Sequence, residues 1–176
     1  MANVDDTPVK LKQAKTSVPR EIDFESMQNE DFISYKVSVL SRIMDRNVDK
    51  RMLASRGLSL SSLRVLGHLF THGDGRVFGI ARKMHMLASQ VSKGLMELVE
   101  SGHVVKVVDP GDRRGTIFRV STKGRTVYER IIFHALDKQR EVASLVGMKN
   151  YLILSECLDI LINHYGEQKS NRDTGA

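Results

Sequence analysis

Residues Ile80 to Val120, IARKMHMLASQVSKGLMELVESGHVVKVVDPGDRRGTIFRV, restrict the fold more than any other part of this chain. Ile80, Ala81 and Met84 mark a short helix, and a turn at His85–Leu87 leads into a second helix, Ala88–Glu100. In that second helix Val91, Leu95, Leu98 and Val99 recur at the i, i+4, i+7, i+8 spacing, which places them on one face. The opposite face near its start carries Ser89, Gln90, Ser92 and Lys93. Two short helices joined by a tight turn, the second amphipathic, describe a helix-turn-helix. Ser101 and Gly102 stop the second helix, and Val104–Val108 and Thr116–Val120 are β-rich runs. Between them DPGDRRG (109–115) reads as a turn with Arg113 and Arg114 at its tip. A hairpin appended to a helix-turn-helix is a wing, and guanidinium groups on a wing suit the narrow minor groove of DNA. Gly94 sits inside the second helix, where glycine costs about 1 kcal/mol relative to alanine. Close approach of another backbone or of DNA would explain it.

Charge supports a polyanion as partner. The chain of 176 residues carries a formal charge of +6. From Arg76 to Arg130 there are 11 Lys or Arg and 5 Asp or Glu, so the remaining residues hold 16 of each sign and are neutral. The whole excess lies between Arg76 and Arg130, across the helix-turn-helix, the wing and the segment that follows it, the electrostatic footprint of a nucleic-acid binder. The single cysteine, Cys157, allows no internal disulfide, no stretch approaches a membrane span, and the N-terminus has no apolar signal core. A cytoplasmic protein is expected. No Gly-rich phosphate loop, Ser elbow or Cys–His pairing occurs, so neither catalysis nor a cofactor is expected.

The flanking segments suggest what holds this unit. Residues 1–23 read as a polar arm, with Lys10, Lys12, Lys15 and Arg20 as contacts for phosphate. Phe24 to Ser55 reads as one long helix, with Phe32, Tyr35, Val39, Ile43 and Met44 on its apolar stripe. A next helix spans Ser59–Thr71, capped by Ser59 or Ser61. His68 and His72 stand four apart on it, but two histidines without a neighbouring cysteine or carboxylate make no metal site. Arg76–Phe78 suggests a short strand paired with the hairpin. After the wing a helix capped by Ser121 or Thr122 runs to about Val146, and a last helix spans Asn150–Tyr165. From Tyr151 to Ile162, 9 of 12 residues are apolar. A helix apolar nearly all round must be buried nearly all round, which in a chain of this size points to a second copy.

The segments LSLSSLRVL (58–66), VSK (91–93), ESGHV (100–104), DPGDRRG (109–115) and STKGR (121–125) together resemble the MarR family of bacterial transcriptional regulators. The resemblance spans roughly residues 30–165 and is most specific at the wing. Arg76–Gly79 departs from it, since the family usually places a polar cap before this helix. The resemblance implies a mainly α fold with a small β-hairpin wing. Residues 58–121 would form the DNA-binding lobe, 24–57 and 122–166 the interlocking helices of a homodimer, and 167–176 a flexible tail. Arg114 would enter the minor groove, with Arg113 beside it and Asp112 bracing it by a salt bridge. Ser89, Gln90, Ser92 and Lys93 would face the major groove.

A twofold dimer presenting two recognition helices about 34 Å apart reads a palindrome in double-stranded DNA. The expected function is a ligand-responsive regulator, a repressor by the family's commonest mode. The resemblance also implies a crevice for a small aromatic or phenolic ligand, with Arg42 and His68 as polar anchors and Ser38, Leu66, Phe70 and Met84 as walls. Two other readings stay open at this point. One is redox control through Cys157, set against the inertness expected of a thiol in so apolar a helix. The other is a winged-helix interaction module without a ligand.

Overall fold

The computed structural model describes residues 23–48 and 53–173. The expected arm, with its four basic residues, lies outside the described residues apart from Asp23. The chain falls into two compact units, Met1–Met44 and Asp45–Ala176, and the division lies within the first helix, α1 (Ile33–Arg46).

The single long helix expected from Phe24 to Ser55 is not formed. Two 3-10 turns, Phe24–Ser26 and Asn29–Asp31, precede the 14 residues of α1. Side chains explain the break. The Asp23 carboxylate accepts the Glu25 N–H at 3.1 Å, and the Asp31 carboxylate accepts the Gln28 N–H at 3.0 Å. Such local bonds offer the backbone an alternative to helix. Along α1, Ile33, Val37, Leu40 and Met44 keep a four-three-four spacing, and all are exposed. That stripe has the form of a packing seam.

The second unit begins with α2 (Leu60–His72). Ser59 Oγ accepts the Ser62 N–H at 3.1 Å while Ser62 Oγ accepts the Ser59 N–H at 2.8 Å, a reciprocal cap. Helices α3 (Val77–Lys83) and α4 (Ala88–Glu100) follow, then β1 (Val104–Asp109) and β2 (Asp112–Val120). Val65, Leu66 and Leu69 of α2, Ile80 and Ala81 of α3, and Val91, Leu95 and Leu98 of α4 form one buried cluster with Val104, Phe118 and Ile131. Burying each large aliphatic side chain contributes roughly 1.5–3 kcal/mol before chain entropy is subtracted. Gly94 faces this core. A Cβ there would lie 3.3 Å from Val65 Cγ2 and 3.4 Å from Ser62 Cα, so the glycine admits α2 rather than DNA.

The strand expected at Arg76–Phe78 reduces to a single bridge between Gly75 and Phe118. Val77 onward turns into α3 instead, because its apolar residues join the core with helical spacing. Helix α5 (Thr122–Val146) leaves the wing, Gly147 breaks it at a φ of 83°, and α6 (Met148–Asp173) follows. The expected tail therefore begins later, since residues 167–173 continue the helix. The apolar residues of α6 are mostly exposed in the single chain, Leu152 at 60% and Ile160 at 61%. Cys157 is exposed in the single chain as well.

The joint between α4, β1 and α5 contains a buried histidine. His103 is 0% exposed, and its Nδ1 lies 2.7 Å from Ser101 Oγ. Ser101 Oγ also lies 2.7 Å from the Glu97 carbonyl, which accepts from it. Nε2 is buried and has no partner among the described residues. Burial, and then the Lys123 ammonium, hold the His103 pKa below its ordinary value. The neutral form is thus the folded form. Its stabilising contribution is complete above the unfolded value of about 6.5 and is lost as pH falls through the lowered folded value. A urea midpoint that drops between pH 7.5 and pH 5, with the slope reduced in His103→Leu, is the expected result. An identical slope in the variant assigns the acid sensitivity to other groups.

Candidate nucleic-acid interface

The helix-turn-helix is closed by backbone bonds. Met84 N–H donates to Ile80 O at 2.9 Å and Met86 N–H to Ala81 O at 3.0 Å, and His85 turns the chain at a φ of +50°. With Val91, Gly94, Leu95 and Leu98 inward, α4 turns Ser89, Gln90 and Lys93 outward, and Ser92 is half-buried. Leu87 occupies the N-cap position, lacks a side-chain cap bond and is exposed. Gln90 partly substitutes, since its Oε1 accepts the Leu87 N–H at 3.3 Å. One oxygen lone pair and both amide hydrogens of Gln90 stay available to a base edge. Gln90→Ala is expected to relax base preference at one position in each half-site, at a cost of about 1–3 kcal/mol on the preferred base. Competition with single-base variants of the duplex checks this, and an equal loss on every variant makes Gln90 a backbone contact.

The wing differs from the expected seven-residue turn. Its strands pair antiparallel from Val104↔Val120 to Val108↔Thr116, and the last pair is Asp109↔Asp112. The tip is therefore Pro110–Gly111. Arg113, Arg114 and Gly115 form a bulge on β2, opposite the step from Val108 to Asp109. Arg114 presents an exposed side chain from that bulge. Asp112 braces Arg114 through the backbone, by accepting its N–H at 3.1 Å, and not by the expected salt bridge. The carboxylate pairs with Arg76 Nη2 at 3.1 Å. At the stem, Arg119 grips Asp74 with Nε and Nη2 at 2.8 and 2.6 Å.

Part of the basic excess is engaged within the chain. Lys123 Nζ donates to Ser101 O at 2.8 Å, and the Arg125 guanidinium lies 5.1 Å over the Phe70 ring. Arg82 and Lys83 of α3, Lys93 of α4, Lys106 of β1 and Arg114 of β2 have exposed side chains. A sequence reading misses Arg76 and Asp109 as a pair. Its one signal is an arginine at Arg76, where a small polar cap is the usual choice.

The residues read as a ligand crevice divide between the two units. Ser38 and Arg42 lie on α1, where Arg42 Nε donates to the Ser38 carbonyl at 3.2 Å. In the second unit Leu66 is buried in the core, and His68, Phe70 and Met84 are half-buried. Phe70 packs on Tyr128 with ring centroids 4.8 Å apart, and burial raises the Tyr128 pKa. His68 lies 4.6 Å from the His72 ring. Burial, then His72 and Lys83, lower the His68 pKa. A separate cavity of about 440 Å³ lies at the α5–α6 elbow, lined by Leu136, Gln139, Arg140, Ala143, Ser144, Met148 and Tyr151. Among the described residues no three His, Cys, Asp or Glu are placed to hold a metal, and no helix is long and apolar enough to cross a membrane.

Residues 56–115 match the model of the MarR family. No curated protein sequence matches the chain. Among solved structures, a MarR protein from Peptoclostridium difficile superposes with a TM-score of 0.71 at 15% identity, covering 86% of this chain and 97% of its own. An organohalide-sensing transcriptional regulator in its 2,4-dichlorophenol-bound form gives a TM-score of 0.67 at 18% identity, over 84% of this chain and 87% of that one. CouR from Rhodococcus jostii bound to p-coumaroyl-CoA gives 0.64 at 23% identity, over 78% and 94%. Residues 56–115 thus resemble the MarR family, and the chain around them shares the fold of the solved structures named above.

Proposed function

We propose that this protein is a homodimeric regulator that reads a palindromic operator in double-stranded DNA and represses by competing with polymerase at the promoter. One observation carries the reading: a single lobe presents the exposed Ser89, Gln90 and Lys93 face and the exposed Arg114 of the wing together. The helix face supplies discrimination between bases, and the basic groups supply affinity for phosphate. The exposed apolar residues of α1 and α6 support the dimer, because so much aliphatic surface on two helices calls for a partner. A twofold partner sets two recognition helices at one spacing.

The test is selection of duplexes from a random pool by the wild-type chain. Enriched sequences are expected to show dyad symmetry, with half-site centres about one helical turn apart. Affinity should fall steeply with salt, and scrambling one half-site should weaken binding, each mismatch costing about 1–3 kcal/mol. A pool without symmetry, or equal affinity after scrambling, overturns the reading.

Control by a small aromatic or phenolic ligand is part of the proposal, supported by the phenolic compounds bound in two of the similar structures. Such a ligand acts by favouring a spacing of recognition helices that does not match the grooves. His68, kept neutral by its partial burial, can hydrogen-bond a phenol hydroxyl without adding charge. Arg42 is proposed to bind a carboxylate. Titration calorimetry with hydroxylated aromatic acids should show weaker binding by Arg42→Ala, and unchanged affinity removes Arg42 from the role.

A further inference from the structure

Arg76 is the N-cap residue of α3, yet its side chain makes no cap hydrogen bond. It crosses to the wing instead. Nε donates to Asp109 Oδ2 at 2.7 Å and Nη2 donates to Asp112 Oδ2 at 3.1 Å. The two carboxylates stand on opposite strands, as the last pair before the tip. The other oxygen of each holds a wing amide. Gly111 N–H donates to Asp109 Oδ1 at 2.8 Å, and Arg114 N–H donates to Asp112 Oδ1 at 3.1 Å. The guanidinium also lies against the bulge, for a Cβ on Gly115 would come within 2.8 Å of Arg76 Nη2. One guanidinium, two carboxylates and two amides therefore link the start of α3 to the backbone of Arg114. Hydrogen bonds from Gly111 and Arg76 hold Asp109 ionised below the usual carboxylate range.

We propose that Arg76 is a positioning residue for the wing: it fixes the direction in which Arg114 leaves the bulge, and it offsets part of the charge of the two carboxylates nearest the tip. This rests on the DNA-binding reading above. Exposed ion pairs add little to stability. The stem is tied independently by Arg119 to Asp74 and by the Gly75–Phe118 bridge. Loss of Arg76 therefore leaves the lobe folded but sets the tip loose, with two negative charges turned toward phosphate.

Arg76→Ala and Arg76→Lys are compared with wild type in two measurements. The first, on the free protein, is amide hydrogen exchange. Arg76→Ala should speed exchange at Gly111 and Arg114 and leave Gly75 and Phe118 unchanged. The second uses a duplex that the wild-type chain has selected from a random pool. Affinity should fall about tenfold or more. Footprint protection should disappear from the minor groove beside each half-site while major-groove protection stays. Arg76→Lys should lie between, because one ammonium cannot grip two carboxylates as a planar fork does. Unaltered exchange, or a loss of protection spread evenly over both grooves, overturns the proposal alone. A wild-type chain that enriches no duplex removes the DNA-binding reading, and the proposal with it.

Discussion

Arg114→Ala is expected to lower affinity for the selected palindromic duplex by at least about tenfold, or roughly 1.4 kcal/mol per dimer, with the dimer and the helical content unchanged. The side chain is exposed, and its backbone amide keeps its bond to Asp112 in the variant. Among the described residues no group pairs with the guanidinium. On DNA the situation reverses, because a narrow minor groove concentrates negative potential and rewards a cation inserted into it. In the proposed dimer both wings contribute to this loss. A shift assay at fixed salt measures the affinity, and gel filtration the dimer. Unchanged affinity counts against the wing as a minor-groove reader. A loss that vanishes at high salt, with no change in base preference, makes Arg114 a phosphate contact only.

Gly124→Ala is expected to have the largest effect on the fold. Ser121 caps α5 by accepting the Gly124 N–H at 3.0 Å, and its own hydroxyl donates to Gly102 O at 2.7 Å. Ser121 N–H donates to His103 O at 2.9 Å. These bonds press the first turn of α5 onto the end of α4, so that a Cβ at Gly124 would overlap the His103 carbonyl oxygen. Backbone obstructs it, and backbone cannot move without breaking the cap. A loss of at least about 2 kcal/mol, or roughly 4–8 °C in Tm, should follow. Gly79→Ala is the control. It has open space within 4 Å and lies inside α3, so helix propensity should favour it by up to about 1 kcal/mol. Thermal melts of both variants decide the matter, and an unchanged Tm in Gly124→Ala shows that the α5 joint yields.

The helix-turn-helix was legible because its signals are local. Val91, Leu95 and Leu98 repeat at helical spacing, and all three are buried as that spacing requires. The residues opposite them, Ser89, Gln90 and Lys93, are exposed for the same reason. Periodicity was misleading at the N-terminus. The apolar stripe from Phe24 suits a helix, but Asp23 and Asp31 divert the backbone by side-chain bonds that no hydrophobic pattern registers.

What the sequence determined by itself is therefore the set of elements with local causes: the two short helices, a serine cap at Ser59 or Ser61, the two hairpin strands and the basic wing. What only the tertiary structure decided is where the chain meets itself across long separations. Asp112, expected to serve Arg114 by a salt bridge, pairs with Arg76, 36 residues away. Gly94, compatible in sequence with either DNA or a backbone, faces Val65 and Ser62. The arginines of the wing leave a three-residue bulge rather than the tip. The physical reason is range. Helix spacing and capping act over about four residues, whereas ion pairs, bulge register and close backbone contacts depend on distances that exist only after α2, α3, α4 and the wing have packed around one core.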